Sequence, residues 1–272
     1  MSFFKQHIDG PIAHLSMNRP DKANGMSPDF WDELPLAVSE LEKNTAVRVL
    51  VLSGEGRHFT GGMDLASFTA IAGLFDNEAG RAAFAMRELI LKLQNTFNTL
   101  ENARFPVVAA IHGACIGAGV DMTSACDIRL ASKDAFFSIE EINIGMAADV
   151  GTLQRMSKLV APGIVKELAY TGRRFSAEEA RSWGFVNSVH ADRDTTLTAA
   201  MELAGEIAAK SPLAITGLKK SLDYARDHSV ADGLDQIATW NAAMLRPADL
   251  TGALQAKMAK KQAVFDDLLG EE

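Results

Sequence analysis

Apolar positions along this chain follow two periods, and the switches between them mark out the elements. "FFKQHI" and "IAHLSMN" lie on either side of Asp9-Gly10-Pro11 and predict two short strands joined by a turn. "SPDFWDELPLAVSELEK" changes to helical spacing, with Ser27 as its N-cap and Pro28 at the first helical position, where the missing N–H costs nothing. In "VRVLVLSG" Val and Leu run without polar alternation until a glycine ends them, the pattern of a strand buried on both faces. A glycine-rich turn follows, then a helical stretch from about residue 80 to 102. Pro106 opens another β-rich run, "PVVAAI", which breaks into "HGACIGAG".

Strands and helices in this order, with continuous apolar strands, predict an α/β core. From about residue 195 the strand signals cease, and "TTLTAAMELAGEIAAKS", "PLAITGLKKSLDYARDHS" and "VADGLDQIATWNAAML" read as successive amphipathic helices. The simplest division is a core over residues 1–194 and a helical C-terminal region over residues 195–272. The apolar stripe of that region, with Leu234, Ile237, Trp240 and Met244, is expected to pack inside the protein. The alternative is that part of it covers another subunit, which favours a homo-oligomer.

Composition changes this picture little. The chain is 47% hydrophobic and 23% charged, as ordinary soluble domains are. Its net charge of −8, with no long basic run, argues against nonspecific nucleic-acid binding; only the local pairs Arg19/Lys22 and Lys219/Lys220 stand out. Cys115 and Cys126 share no metal-ligand spacing and lie in apolar surroundings, so they read as packed thiols in a reducing compartment. The start "MSFFKQHIDG" lacks the unbroken apolar stretch of a signal peptide. The most apolar segment, "FPVVAAIHGACIGAGV", is too short and broken to span a membrane, and the tail "DDLLGEE" is not a peroxisomal address of the SKL type. A cytoplasmic protein is expected.

Chemistry concentrates in two glycine turns and three carboxylates. "HFTGGMDL" (58–65) follows one buried strand and "HGACIGAGVD" (112–121) follows the next. Glycine allows a tight turn and lets a ligand approach backbone N–H groups. One N–H from each turn, converging on a carbonyl oxygen, would stabilise negative charge developing there, commonly by about 3–4 kcal/mol per donor. Neither turn has the order of a phosphate cradle or a dinucleotide turn. "SIEEINIGMAADVGTL" then sets Asp149 between Ala148 and Val150, eight positions after Glu141, where a purely structural segment has no use for a carboxylate.

"HFTGGMDL", "PVVAAIHGACIGAGVDMTSACDIRLAS" and "AFFSIEEINIGMAADVGTLQRM" together resemble the crotonase, or enoyl-CoA hydratase/isomerase, superfamily. The resemblance extends from "NRPDKANGM" to the C-terminal helices. Within the superfamily, "AADVGTLQR" and "RDHSVADGLDQIATWNAAML" are most similar to the Δ3,5-Δ2,4-dienoyl-CoA isomerase branch. This implies a crotonase-type ββα spiral core whose C-terminal helical region serves oligomerisation and active-site cover. It also implies an acyl-CoA thioester substrate, with CoA as part of that substrate and no separate cofactor or metal. A trimer or dimer of trimers is expected, with no nucleic-acid or membrane partner. The backbone N–H groups of Met63 and Ala118 are implied as the oxyanion hole. Many relatives have glycine at the position of Ala118, but the donor is on the main chain. Gly61, Gly62, Asp64, Leu65, Gly117 and Gly119 would shape the substrate site, and Lys22, Ala23 and Asn24 would lie near the adenine end of CoA. "LASFTAIAGLFDNEAG" is expected to help line the acyl pocket.

The resemblance places Asp121 and Glu141 where hydratases carry two catalytic glutamates, and Asp149 where the isomerase branch has its extra acid. Moving two conjugated double bonds toward the thioester removes a proton at C2 and delivers one at C6. One carboxyl must start ionised and another protonated, so their environments must separate their pKa values. Asp149 is expected as the base at C2, Glu141 as the acid at C6 (or the reverse), and Asp121 as electrostatic support. Plainer roles compete: Asp121 capping the helix that starts at its loop, Glu140-Glu141 forming a solvated edge, and Asp149 capping "VGTLQRM". His58 and His112 read as structural, since no serine nucleophile elbow accompanies them. Two rival functions stand beside the isomerase: a hydratase working through Asp121 and Glu141, and a noncatalytic acyl-CoA or RNA binder.

Overall fold

The computed structural model describes residues 2–64, 67–68 and 78–268. Strands β1 (Phe4–Asp9) and β2 (Ile12–Met17) form the expected hairpin. Parallel to β2 come β3 (Val49–Gly54) and β4 (Val107–Ile111). A short β5 (Ala114–Ile116) leaves this sheet; β6 (Ile128–Ser132) returns to it, β7 (Phe136–Ser138) and β8 (Phe175–Ser176) do not, and β9 (Ser188–His190) closes it. The large sheet has the order β1-β2-β3-β4-β6-β9, and the small one the order β5-β7-β8.

Helices α1 (Pro28–Lys43), α2 (Ala79–Asn102) and α3 (Ala118–Ser124) alternate with these strands, followed by α4 (Thr152–Met156), α5 (Pro162–Thr171) and α6 (Ala177–Ser182). Four helices end the chain: α7 (Arg193–Ala208), α8 (Pro212–Asp227), α9 (Val230–Met244) and α10 (Pro247–Met258). The last of these was not anticipated from the sequence.

Continuous apolar strands have the consequence their pattern predicts: each side of the large sheet carries its own core. Val49, Val51, Val108, Ala110 and Leu130 face α7, whose Ala200, Ala204 and Ala208 recur every four residues and let the helix lie close. Leu50, Leu52, Val107 and Ala109 face the opposite way, into a core completed by Phe30, Trp31 and Leu34 of α1 and by Phe97 and Leu100 of α2. Helix α7 therefore belongs with the sheet it covers, although it lies almost wholly beyond the boundary expected at residue 194. Helix α8 is tied on by buried Lys219, which donates to Leu100 O at 3.1 Å, Phe105 O at 3.1 Å and Asp127 at 2.9 Å.

Beyond α8 the expectation of internal packing fails. Helices α9 and α10 bury no residue, and Leu234 is 64% exposed. Of the named stripe Ile237 and Trp240 are half-buried, and Trp240 closes tightly on Gly217 of α8, where a methyl group would meet its Nε1 at 2.2 Å.

Candidate active site

The small sheet positions the chemistry. Strand β5 continues from the end of β4 and pairs in parallel with β7, and the Gly117 N–H donates to Ser138 O at 2.9 Å. This brings the second glycine turn beside the 3-10 turn Glu140–Ile144 that follows β7. Gly117 has φ +53 and ψ −119, a conformation that side chains resist, and a methyl group there would meet Glu141 Oε1 at 3.3 Å.

The first glycine turn meets the second through a backbone ladder. Thr60 N–H donates to Ala114 O at 2.9 Å, and Ile116 N–H returns to Thr60 O at 3.3 Å. Gly62, with φ +86, sits so close that a methyl group on it would lie 2.7 Å from Ile116 O and 3.7 Å from Ala118 N. Gly119 likewise has no room for a methyl group, which would lie 2.5 Å from Thr60 Cγ2. Ala118 is the first residue of α3, so its N–H has no partner within the helix. Among the described residues, neither that N–H nor the Met63 N–H donates a hydrogen bond. The two turns thus converge with two main-chain donors unspent.

The loop of Met63 is braced from the N-terminal side. Arg19 Nη1 donates to Asp64 Oδ2 at 3.0 Å and to Gly25 O at 2.7 Å. Gly61 N–H donates to Ala23 O at 2.8 Å, so the Lys22–Asn24 turn abuts the first glycine turn. Lys22 is exposed there, whereas Asn24 is fully buried and donates to Glu55 O at 2.9 Å and His58 O at 2.8 Å. The Asn24 side chain is spent inside the protein, and Lys22 is the exposed side chain of the turn. Leu65, and most of the stretch expected to line the acyl pocket, lie outside the described residues.

The three carboxyl groups share one neighbourhood. Asp121, on α3, is 1% exposed; its Oδ1 accepts from Thr152 N–H at 2.6 Å, and its Oδ2 has no protein partner among the described residues. Burial pushes its carboxyl up to about 6, with contacts from Thr152 opposing and the Asp149 charge adding to the rise. Glu141 also holds a buried Oε2 with no partner among the described residues, and burial, then the Asp121 charge, push it up to about 7. Asp149 is half-buried and raised by burial. It is the most open of the three. Its charge acts on both of the others.

The plainer roles sort differently from expectation. Asp149 does not cap α4: the residue at that position is Gly151, with no side-chain cap. Asp121 supplies the missing acceptor instead, from inside α3 rather than at its start. Glu140 and Glu141 are not a solvated pair, since Ser138 Oγ donates to Glu140 at 2.7 Å while Glu141 turns inward. His58 Nδ1 accepts from Ala114 N–H at 3.1 Å and His112 Nε2 pairs with Gly56 O at 3.0 Å, so both histidines brace the turns. Thr152 and Arg19 escaped the sequence reading, because no motif marks a residue whose backbone or salt bridge serves a distant one.

A site with two converging N–H donors over three clustered carboxyls agrees with a sequence match that is nearly complete. The pattern of the family described as enoyl-CoA hydratase/isomerase matches residues 7–267. The chain belongs to the enoyl-CoA hydratase/isomerase family. It is 45% identical over 252 residues to the mitochondrial Delta(3,5)-Delta(2,4)-dienoyl-CoA isomerase of Mus musculus, covering 92% of this chain and 77% of that one. It is 43% identical over 270 residues to the peroxisomal enzyme of the same name from Arabidopsis thaliana, covering 98% and 97%. Among solved structures it is similar to an enoyl-CoA hydratase from Bacillus anthracis, with TM-score 0.87, 27% identity and coverage of 97% and 98%. The family's crotonase fold is therefore the fold of this chain. The expectation of a cytoplasmic protein does not stand, because the isomerase relatives are named mitochondrial or peroxisomal.

Proposed function

We propose that this protein isomerises 3,5-dienoyl-CoA to 2,4-dienoyl-CoA in fatty-acid β-oxidation. The observation that carries this reading is the third carboxyl: Asp149 faces the Asp121–Glu141 pair from a different segment, and its charge acts on both. Nearly full-length similarity to two dienoyl-CoA isomerases supports it.

Asp149, ionised, takes the proton from C2. The electron pair left at C2 becomes a C2=C3 bond, the C3=C4 pair moves to C4=C5, and the C5=C6 pair takes a proton at C6 from Glu141. In the intermediate, charge spreads onto the thioester oxygen, where Met63 and Ala118 N–H would hold it. The cycle ends with Asp149 protonated and Glu141 ionised, and a proton must return between them before the next turnover. No carbon leaves and no net oxidation occurs, so the reaction calls for no redox cofactor, and CoA enters with the substrate.

Asp121 supports this arrangement rather than moving a proton. Its Oδ1 is held by Thr152 N–H, and it is too buried to present a water for addition. That counts against a hydratase using Asp121 and Glu141. The exposed turn at Lys22 is the proposed contact for the adenine end of CoA, and the bared apolar helices α9 and α10 suit a homotrimer or dimer of trimers.

The test is to supply a 3,5-dienoyl-CoA and follow the ultraviolet absorbance of the conjugated product. Asp149→Asn should lose at least about 100-fold in kcat with the fold intact. Wild-type turnover in that variant would remove the assignment. Rapid water addition to crotonyl-CoA, with no dienoyl isomerisation, would return the hydratase reading.

A further inference from the structure

Residues 146–151, which carry Asp149, have no regular secondary structure. Something outside the segment must fix its geometry, since a base misplaced by about 1 Å can cost 100-fold in rate. Two outside contacts converge on it from α2. Gln94 Nε2 donates to Asp149 O at 2.7 Å, holding the peptide of the base itself. One and two turns further along the same face of α2, Asn98 Oδ1 and Glu101 Oε2 accept from Arg155 Nη2 at 2.6 and 2.8 Å.

Arg155 folds back over the segment it follows. Its Nη1 lies where a methyl group on Gly151 would be, 2.0 Å from that position, and within 3.5 Å of Val150 O. Gly151 has φ +134, so the turn between Asp149 and α4 requires glycine both for its backbone and for the guanidinium above it. The Arg155 side chain is 11% exposed and Glu101 is 17% exposed, which makes this a sheltered pair. Glu101 also accepts from Arg226 of α8, so the helical tail braces the same cluster.

We propose that Gln94 and Arg155 are positioning residues for Asp149, clamping its unstructured segment to helix α2 so that the carboxyl meets the substrate at C2. Neither side chain touches the reacting atoms. The proposal rests on Asp149 being the base, and the test separates the two.

The variant Gln94→Met keeps the length and helical preference of the side chain and removes the donor. Expected is a fall in kcat of about 10- to 100-fold with KM and Tm unchanged. The acid limb of the pH profile should also move down. Burial raises the Asp149 carboxyl, and a released segment gives it more water, while Asp121 on α3 and Glu141 on the 3-10 turn remain as its charged neighbours. Arg155→Ala should lower kcat likewise, and if it does not fold, Gln94→Met decides alone. An unchanged kcat in Gln94→Met overturns the clamp, and so does a lower kcat with the acid limb unmoved, which is mere loss of active protein. Asp149→Asn is measured beside them. If it is inactive while Gln94→Met is normal, only the clamp fails; if it turns over like wild type, the base assignment fails first.

Discussion

Three carboxyl groups share one neighbourhood, where burial and mutual repulsion oppose their ionising together. Glu141 is pushed up to about 7, so it holds its proton through mildly acidic conditions, while the more open Asp149 is raised by burial. Activity should therefore follow a bell, falling as pH rises through about 7 when Glu141 loses the proton it must deliver. It should fall again in acid, once Asp149 is protonated; the pH dependence of kcat/KM measures both limbs. A profile flat from pH ~6 to ~9 would remove Glu141 as the acid. Asp121 makes a separate prediction about stability. Its pKa rises from 3.8 to about 6 on folding, so folding favours the protonated form. That contribution is complete below the unfolded value and is lost as pH rises through about 6, to the extent of roughly 3 kcal/mol. Asp121→Asn carries no such charge and keeps an acceptor for Thr152 N–H. Its Tm relative to wild type should climb between pH ~4 and ~8, as thermal unfolding across that range would show.

At the scale of elements, the site depends on two glycine turns lying against each other. The methyl group of Gly62→Ala would press on Ile116 O at 2.7 Å and must be accommodated at φ +86. We expect a loss of about 1–3 kcal/mol in stability, read by denaturant unfolding, and a fall in kcat that exceeds any change in KM. A kcat unchanged in that variant would mean that the turns do not jointly build the oxyanion hole. The turns themselves were legible, because glycine after a buried apolar strand has few other uses. Their convergence was not: it follows from β5 leaving the large sheet to pair with β7, and three-residue strands leave almost no periodic signal. The capping of α4 was misplaced for a related reason. Sequence proximity favoured Asp149, whereas the chain folds Asp121 onto Thr152 from 31 positions away.

Across the whole molecule, apolar surface is distributed unevenly. The sheet faces are dry, while Leu218, Leu222, Leu234, Leu250 and Leu254 on the C-terminal helices are each about half exposed or more. Light scattering should find three or six chain masses in solution, and Leu218→Asp with Leu222→Asp should lower that mass if this face holds subunits together. What the sequence by itself determined is the set of elements and the kind of chemistry. Periodicity placed β1 to β4 and the long helices, because burying apolar side chains leaves a repeat that matches the backbone. Motifs named the turns and the acids, because reaction chemistry restricts residue types. Only the tertiary structure decided which acid is buried, which caps a helix, which side chains hold the Asp149 segment and which apolar helices remain uncovered. Those outcomes depend on segments far apart in the chain meeting in space, and no local pattern records such a meeting.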